Sequence, residues 1–170
     1  MPEPHELLNA LDGAALRAAL QRCCGAQRWV EGMIAARPFA STAALYDSAE
    51  RVWSGLARED YLEAFSHHPR IGEDAAALRA RFPQTAAWAQ GEQAGVAGAD
   101  DAMLAALAAN NRRYFERFGY IFIVCASGKS APEMAALLAV RLDNEPDIEL
   151  AIAAREQARI TRLRLEKLSP

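Results

Sequence analysis

The sequence predicts an all-α protein, a helical bundle of about eight or nine helices with one buried extended connector, and three observations lead there. Alanine, the strongest helix former, is abundant. Most segments return apolar residues at three- and four-residue spacing, which lines them along one helix face. Only the run Tyr120 to Cys125 is β-branched and aromatic enough to prefer extended backbone, and it has no evident partner strand.

The elements follow in order. Leu16, Leu20 and Cys23 or Cys24 start an amphipathic stretch that Gly25 stops, and Trp29, Val30, Met33 and Ile34 make a second that ends before Pro38. These two are expected to form a helical hairpin. Ser41 or Thr42 caps the next helix, with Leu45, Val52, Trp53 and Leu56 buried. Tyr61, Leu62 and Phe65 lead a short helix that Pro69 must break. Between Arg70 and Gly98 the pattern is less regular: Leu78 and Phe82 precede Pro83, and Trp88 to Gln93 reads as a short helix ended by Gly95. Met103, Leu107, Tyr114 and Phe118 share one face of a long helix that stops at Gly119. Ser130-Ala131-Pro132-Glu133 is a capping-box pattern opening a helix through Met134, Leu137, Leu138 and Leu142. Pro146 then opens a last helix through Ile152, Ile160, Leu163 and Leu168.

A length of 170 residues with 52% apolar composition fits one domain, residues 1–170, with a sizeable core. The 22 acidic residues outnumber the 19 Lys and Arg, so no net positive field exists to hold a phosphate backbone, and nucleic acid is excluded as a partner. Cys23, Cys24 and Cys125 show no metal-ligand spacing, and their odd number argues against a disulfide framework. Met1 to Asp12 lacks the basic start and apolar run of a signal peptide, no segment is apolar enough to span a bilayer, and Leu168-Ser169-Pro170 is not a peroxisomal address. The expectation is a cytoplasmic protein without membrane contact.

Several polar residues stand where the helical pattern calls for apolar ones. Phe65-Ser66-His67-His68-Pro69-Arg70-Ile71-Gly72 places two imidazoles at a helix end, beside a proline that fixes the backbone and a glycine that permits a sharp turn. Imidazole exchanges protons readily near neutral pH, so His68 suits acid or base work, though local sequence alone favours a His that satisfies the last carbonyls of a helix C-terminus. Metal binding by His67 and His68 is disfavoured, because adjacent ligands on a helix point about 100° apart. Glu92 lies one turn after Trp88 and one before Val96, so its carboxylate is either a buried proton carrier of raised pKa or a solvated group beside Gln90 and Gln93. Arg164 falls between Ile160 and Leu168 and is placed either to pair with a carboxylate or to snorkel along the surface. Arg141 and Asn111 are expected to make structural hydrogen bonds.

Taken together, Phe65 to Gly72 followed by Gly91-Glu92-Gln93-Ala94-Gly95 resembles the paired signature of the OHCU decarboxylases, which act on 2-oxo-4-hydroxy-4-carboxy-5-ureidoimidazoline. Cys24-Gly25 with Trp29, Met33 and Arg37-Pro38-Phe39, Asn111 to Tyr114 before Phe118-Gly119, and Arg141 to Asn144 before Leu163-Arg164-Leu165 extend the likeness over about residues 20 to 168. The resemblance implies a helical fold of its own kind, a homodimer, no metal or organic cofactor, and loss of CO2 to give (S)-allantoin in urate degradation. It assigns catalysis to His68 and Glu92, and substrate contact to Pro69, Gln93 and the backbone from Val124 through Cys125, Ala126 and Ser127 to Gly128. Arg164 joins the substrate-binding set as partner to a carboxylate. Many members carry a serine three residues before the glutamate; here Ala89 stands there, so one hydrogen bond to the substrate is missing or supplied by water. Two readings compete with this one: a helical ligand-binding or protein-interaction module in which His68 only caps a helix, and an acid–base enzyme acting on a related ureido or imidazole compound.

Overall fold

A computed structural model describes residues 1–68 and 96–169, with backbone alone over 96–100. Among the described residues it has eight helices and no strand: α1 (Pro4–Ala10), α2 (Gly13–Cys23), α3 (Gln27–Ala35), α4 (Thr42–Ser54), α5 (Arg58–Ser66), α6 (Val96–Phe118), α7 (Ala131–Arg141) and α8 (Pro146–Glu166). The all-helical class expected from the apolar spacing is the one observed. The helix expected over Trp88 to Gln93, and the Leu78 and Phe82 positions, lie outside the described residues. No described helix is long and apolar enough to cross a membrane. The chain divides into two compact units, Met1–His68 with Ala154–Pro170, and Pro69–Ala153, and the division falls inside α8.

In the first unit α2 and α3 pack as the expected hairpin, and α3 also meets α4 and α5. Leu16, Leu20, Trp29, Met33, Leu45 and Phe65 form its core. Burial of each large side chain contributes about 1.5–3 kcal/mol. Buried indole N–H groups need acceptors: Trp29 donates to the Ala49 carbonyl at 3.2 Å and Trp53 to that of Ala154 at 2.9 Å. Ser41 caps α4 by accepting from the Ala44 N–H at 3.1 Å. Ile34, Val52 and Leu56, expected inside, are only half-buried. The inward face of α4 is centred instead on Leu45, Ala49 and Trp53, spaced four apart. Gly25, between α2 and α3, lies against the His67 ring, which a Cβ at that position would overlap.

In the second unit α6 and α7 pack together. The inward face of α6 carries Leu104, Leu107, Ala108, Asn111, Tyr114 and Phe118, with Met103 at its margin. Gly119, at φ +81, takes the left-handed conformation that ends the helix. Tyr120 to Cys125 follows as the buried connector, neither helix nor strand, and its backbone must find partners outside a ladder. Arg141 supplies one, donating from Nη1 to the Ile123 carbonyl at 2.6 Å, with its guanidinium 4.5 Å from the centre of the Phe122 ring. Arg141 is itself held by Glu149, which is 0% exposed and accepts from Arg141 Nε at 2.7 Å, Tyr114 OH at 2.5 Å and Asn144 Nδ2 at 3.0 Å. Burial, then the bond to Glu149, pushes the Tyr114 phenol well above its usual range, so it stays a donor. Asn111 donates to the Leu107 carbonyl at 3.0 Å.

The inward face of α8 differs from the one expected. Ile152, Ile160, Leu163 and Leu168 are half-buried, whereas Glu149, Ala153, Gln157, Thr161 and Leu165 are buried at four-residue intervals. Three of those five are polar, so the stripe escapes a search for apolar periodicity.

Two stability outcomes follow from this packing. Gly25→Ala drives a methyl into the His67 ring and is expected to lower unfolding free energy by ~1–3 kcal/mol in urea titration, the cost of overpacking; an unchanged midpoint contradicts the close approach. Glu149→Gln leaves the buried Arg141 charge without its counter-ion and is expected to cost ~3–5 kcal/mol in the same assay; a loss below about 1 kcal/mol, the range of an exposed pair, contradicts it.

Candidate active site

α5 delivers the histidine pair. Its inward residues Asp60, Ala64 and Phe65 anchor it, and the chain leaves the helix in a tight turn in which the His67 N–H donates to Ala64 at 3.2 Å and the His68 N–H to Phe65 at 3.1 Å. His67 is exposed and His68 half-buried. His68 Nε2 lies 2.5 Å from Gln157 Oε1 of α8. That nitrogen therefore meets a side chain distant in sequence and not a carbonyl of its own helix end. Gln157 is wholly buried, and its Nε2 donates to Thr161 Oγ1 at 3.1 Å, one turn further along α8.

Beyond Thr161 lies Cys24. Burial pushes its thiol up to about 11, while hydrogen bonds from the Ala26 backbone and the Thr161 side chain oppose the rise. Burial raises Cys23 to about 11 as well, against the nearby Arg164 charge. Both thiols are protonated at neutral pH and are poor nucleophiles. A polar file thus runs from His68 through Gln157 to Thr161.

Arg164 is exposed, with Nη1 3.4 Å from the Arg22 carbonyl and 3.5 Å from that of Cys23. A cation there complements the C-terminal end of α2. In the second unit, Val124 and Cys125 are buried and Ala126, Ser127 and Gly128 exposed. The Lys129 N–H closes a turn onto Ala126 at 3.0 Å with Gly128 at φ +75, and Lys129 Nζ donates to the Cys125 carbonyl at 2.8 Å. Pro69, Ala89, Glu92 and Gln93 lie outside the described residues. Among the described residues no group of three or more His, Cys, Asp or Glu side chains is placed to hold a metal ion.

Gln157 and Thr161 are the site residues that the sequence reading missed. Their signal is faint but physical: with Ala153 and Leu165 they keep a four-residue register along α8, the spacing of a single helix face.

The OHCU decarboxylase family model matches residues 9–166. The chain is 37% identical over 147 residues to the uric acid degradation bifunctional protein TTL of Arabidopsis thaliana, covering 86% of this chain and 45% of that one. It is 28% identical over 167 residues to the 2-oxo-4-hydroxy-4-carboxy-5-ureidoimidazoline decarboxylase of Haloferax volcanii, covering 95% of each. The chain spans under half the length of the bifunctional relatives that it matches. Among solved structures, an OHCU decarboxylase crystallised in the presence of (S)-allantoin superposes with a TM-score of 0.68 at 34% identity, over 86% of this chain and 94% of that one. With a family model spanning nearly all of its helices and a matching fold, the chain belongs to the OHCU decarboxylase family.

Proposed function

We propose that this chain acts as a single domain that decarboxylates 2-oxo-4-hydroxy-4-carboxy-5-ureidoimidazoline to (S)-allantoin in urate degradation, by acid–base catalysis without a metal or organic cofactor. The observation that carries the reading is the half-buried His68 at the end of α5, with its ring nitrogen bonded to a buried amide, in a chain of this family. A histidine that only caps its own helix has no need of that amide.

The chemistry needs little else. When the C4–carboxylate bond breaks and CO2 leaves, the electron pair moves into the C4–C5 bond and the neighbouring C=N nitrogen takes a proton from solvent. The ring is its own electron sink, the part a cofactor plays in other decarboxylases. The enol that results must lose its hydroxyl proton and gain one at C5. His68 handles one or both of these transfers, and Glu92 orients the ureido-bearing ring so that C5 is protonated from one face.

Pro69, Gln93 and the backbone of Val124, Cys125, Ala126, Ser127 and Gly128 are proposed to meet the substrate, with Arg164 pairing with a carboxylate. Ala89 leaves room for water where relatives place a serine. A cytoplasmic homodimer completes the proposal, consistent with three free buried cysteines.

Incubation with freshly generated substrate, following CO2 release and the optical rotation of the product, tests the reading. Release of CO2 with dextrorotatory (S)-allantoin supports it, and turnover of only some other ureido or imidazole compound overturns the substrate assignment. His68→Ala is expected to reduce kcat by ~10²–10⁴-fold, the usual worth of general acid–base help, with the circular dichroism spectrum intact. Near-native turnover in that variant rejects His68 as proton carrier. Glu92→Gln keeps shape but removes charge, so kcat falls while thermal stability holds; a variant that loses stability alone makes Glu92 structural.

A further inference from the structure

A buried primary amide must place both its oxygen and its NH2 group, and Gln157 is 0% exposed. Its two ends lie 2.5 Å from His68 Nε2 and 3.1 Å from Thr161 Oγ1. Gln157 turns its Nε2 to Thr161, donating to the hydroxyl oxygen, and its Oε1 to His68. An amide oxygen only accepts, so the proton of that last bond resides on His68 Nε2.

We propose that Gln157 is a positioning residue that holds His68 in its Nε2–H tautomer and thereby makes Nδ1 the basic nitrogen. A neutral imidazole with a proton on Nε2 carries its lone pair on Nδ1. The proposal rests on the reading of His68 as the proton carrier and specifies the atom at which exchange takes place. Nδ1 takes the enol hydroxyl proton, the ring becomes imidazolium, and Nδ1 releases a proton toward C5, while the Nε2 proton stays on the Gln157 oxygen throughout. The bond also fixes the ring plane, so the imidazole need not reorient between the two transfers.

Nitrogen-15 spectra of histidine-labelled protein, at a pH where the ring is neutral, read the tautomer directly, with His68 assigned by its loss in His68→Ala. The expected spectrum has a protonated, pyrrole-type Nε2 and a pyridine-type Nδ1; a pyridine-type Nε2 overturns the proposal with no need of a Gln157 variant. Gln157→Met keeps volume but removes the acceptor. In a folded Gln157→Met protein the tautomer preference is expected to vanish and kcat to fall ~10-fold or more with KM little changed, forfeiting part of the ~10²–10⁴-fold worth of acid–base help. Gln157→Glu restores an acceptor and is expected to recover both the Nε2–H signature and much of the lost kcat. An unaltered tautomer with native kcat in Gln157→Met refutes the assignment. A native protein that shows the Nε2–H tautomer but releases no CO2 supports the assignment and sinks the decarboxylase reading, so the two fail separately.

Discussion

Buried polar groups must be bonded, and among the described residues half of the buried polar side chains, Glu149, Glu156, Gln157 and Thr161, belong to one helix. The inward stripe of α8 presents Glu149, Gln157 and Thr161 among Ala153 and Leu165, where aliphatic side chains would satisfy packing alone. Leaving any of the three without a partner costs about 1–3 kcal/mol, more for the charged one. The surroundings are organised to avoid that cost. Glu149 gathers Tyr114, Arg141 and Asn144, and through Arg141 it ties down the Ile123 carbonyl of the connector. Gln157 ties the His68 ring to Thr161, one turn along the same helix. The two segments to which the family likeness assigns chemistry, the histidine corner and the connector, are thus each fastened by polar groups from this stripe or bound to it.

Much of the fold was legible because its signals are local. Leu16 and Leu20, or Trp29, Val30 and Met33, mark a helix face by spacing alone, and Gly119 and Ser130 mark an end and a start by backbone preference and capping. The extended connector was legible from its β-branched and aromatic content, though its fastening by Arg141 depends on partners 18 and 8 residues from that side chain. α8 misled for a definite reason. Apolar periodicity weighs Ile152, Ile160, Leu163 and Leu168 and ignores glutamate and glutamine, yet those polar side chains are the buried ones because their partners come from elsewhere in the chain. Long-range pairing leaves no mark on composition. The same limit applied to His68, whose cap and proton-carrier readings are indistinguishable locally and whose ring meets a partner 89 residues away.

In the proposed reaction the substrate supplies the electron sink and the protein supplies proton positions. That division suits a scaffold in which an imidazole is bonded to a buried amide that is itself bonded to a hydroxyl. An unperturbed histidine titrates near pH ~6.5, so modest influences decide its state, and fixing its tautomer matters as much as shifting its affinity. Arg164 is exposed and lies against the carbonyls that end α2, a position that complements the C-terminus of the helix leading into Cys24 and Gly25.

The central claim is that an imidazole from the α5 corner and the Glu92 carboxylate act on one small heterocycle. A crystal structure of the protein soaked with (S)-allantoin addresses it most directly. The account predicts the ring of the product within hydrogen-bond reach of His68 Nδ1 and the Glu92 carboxylate, with connector backbone groups against its edge. Electron density for the product elsewhere, or the two side chains directed at separate surfaces, contradicts it.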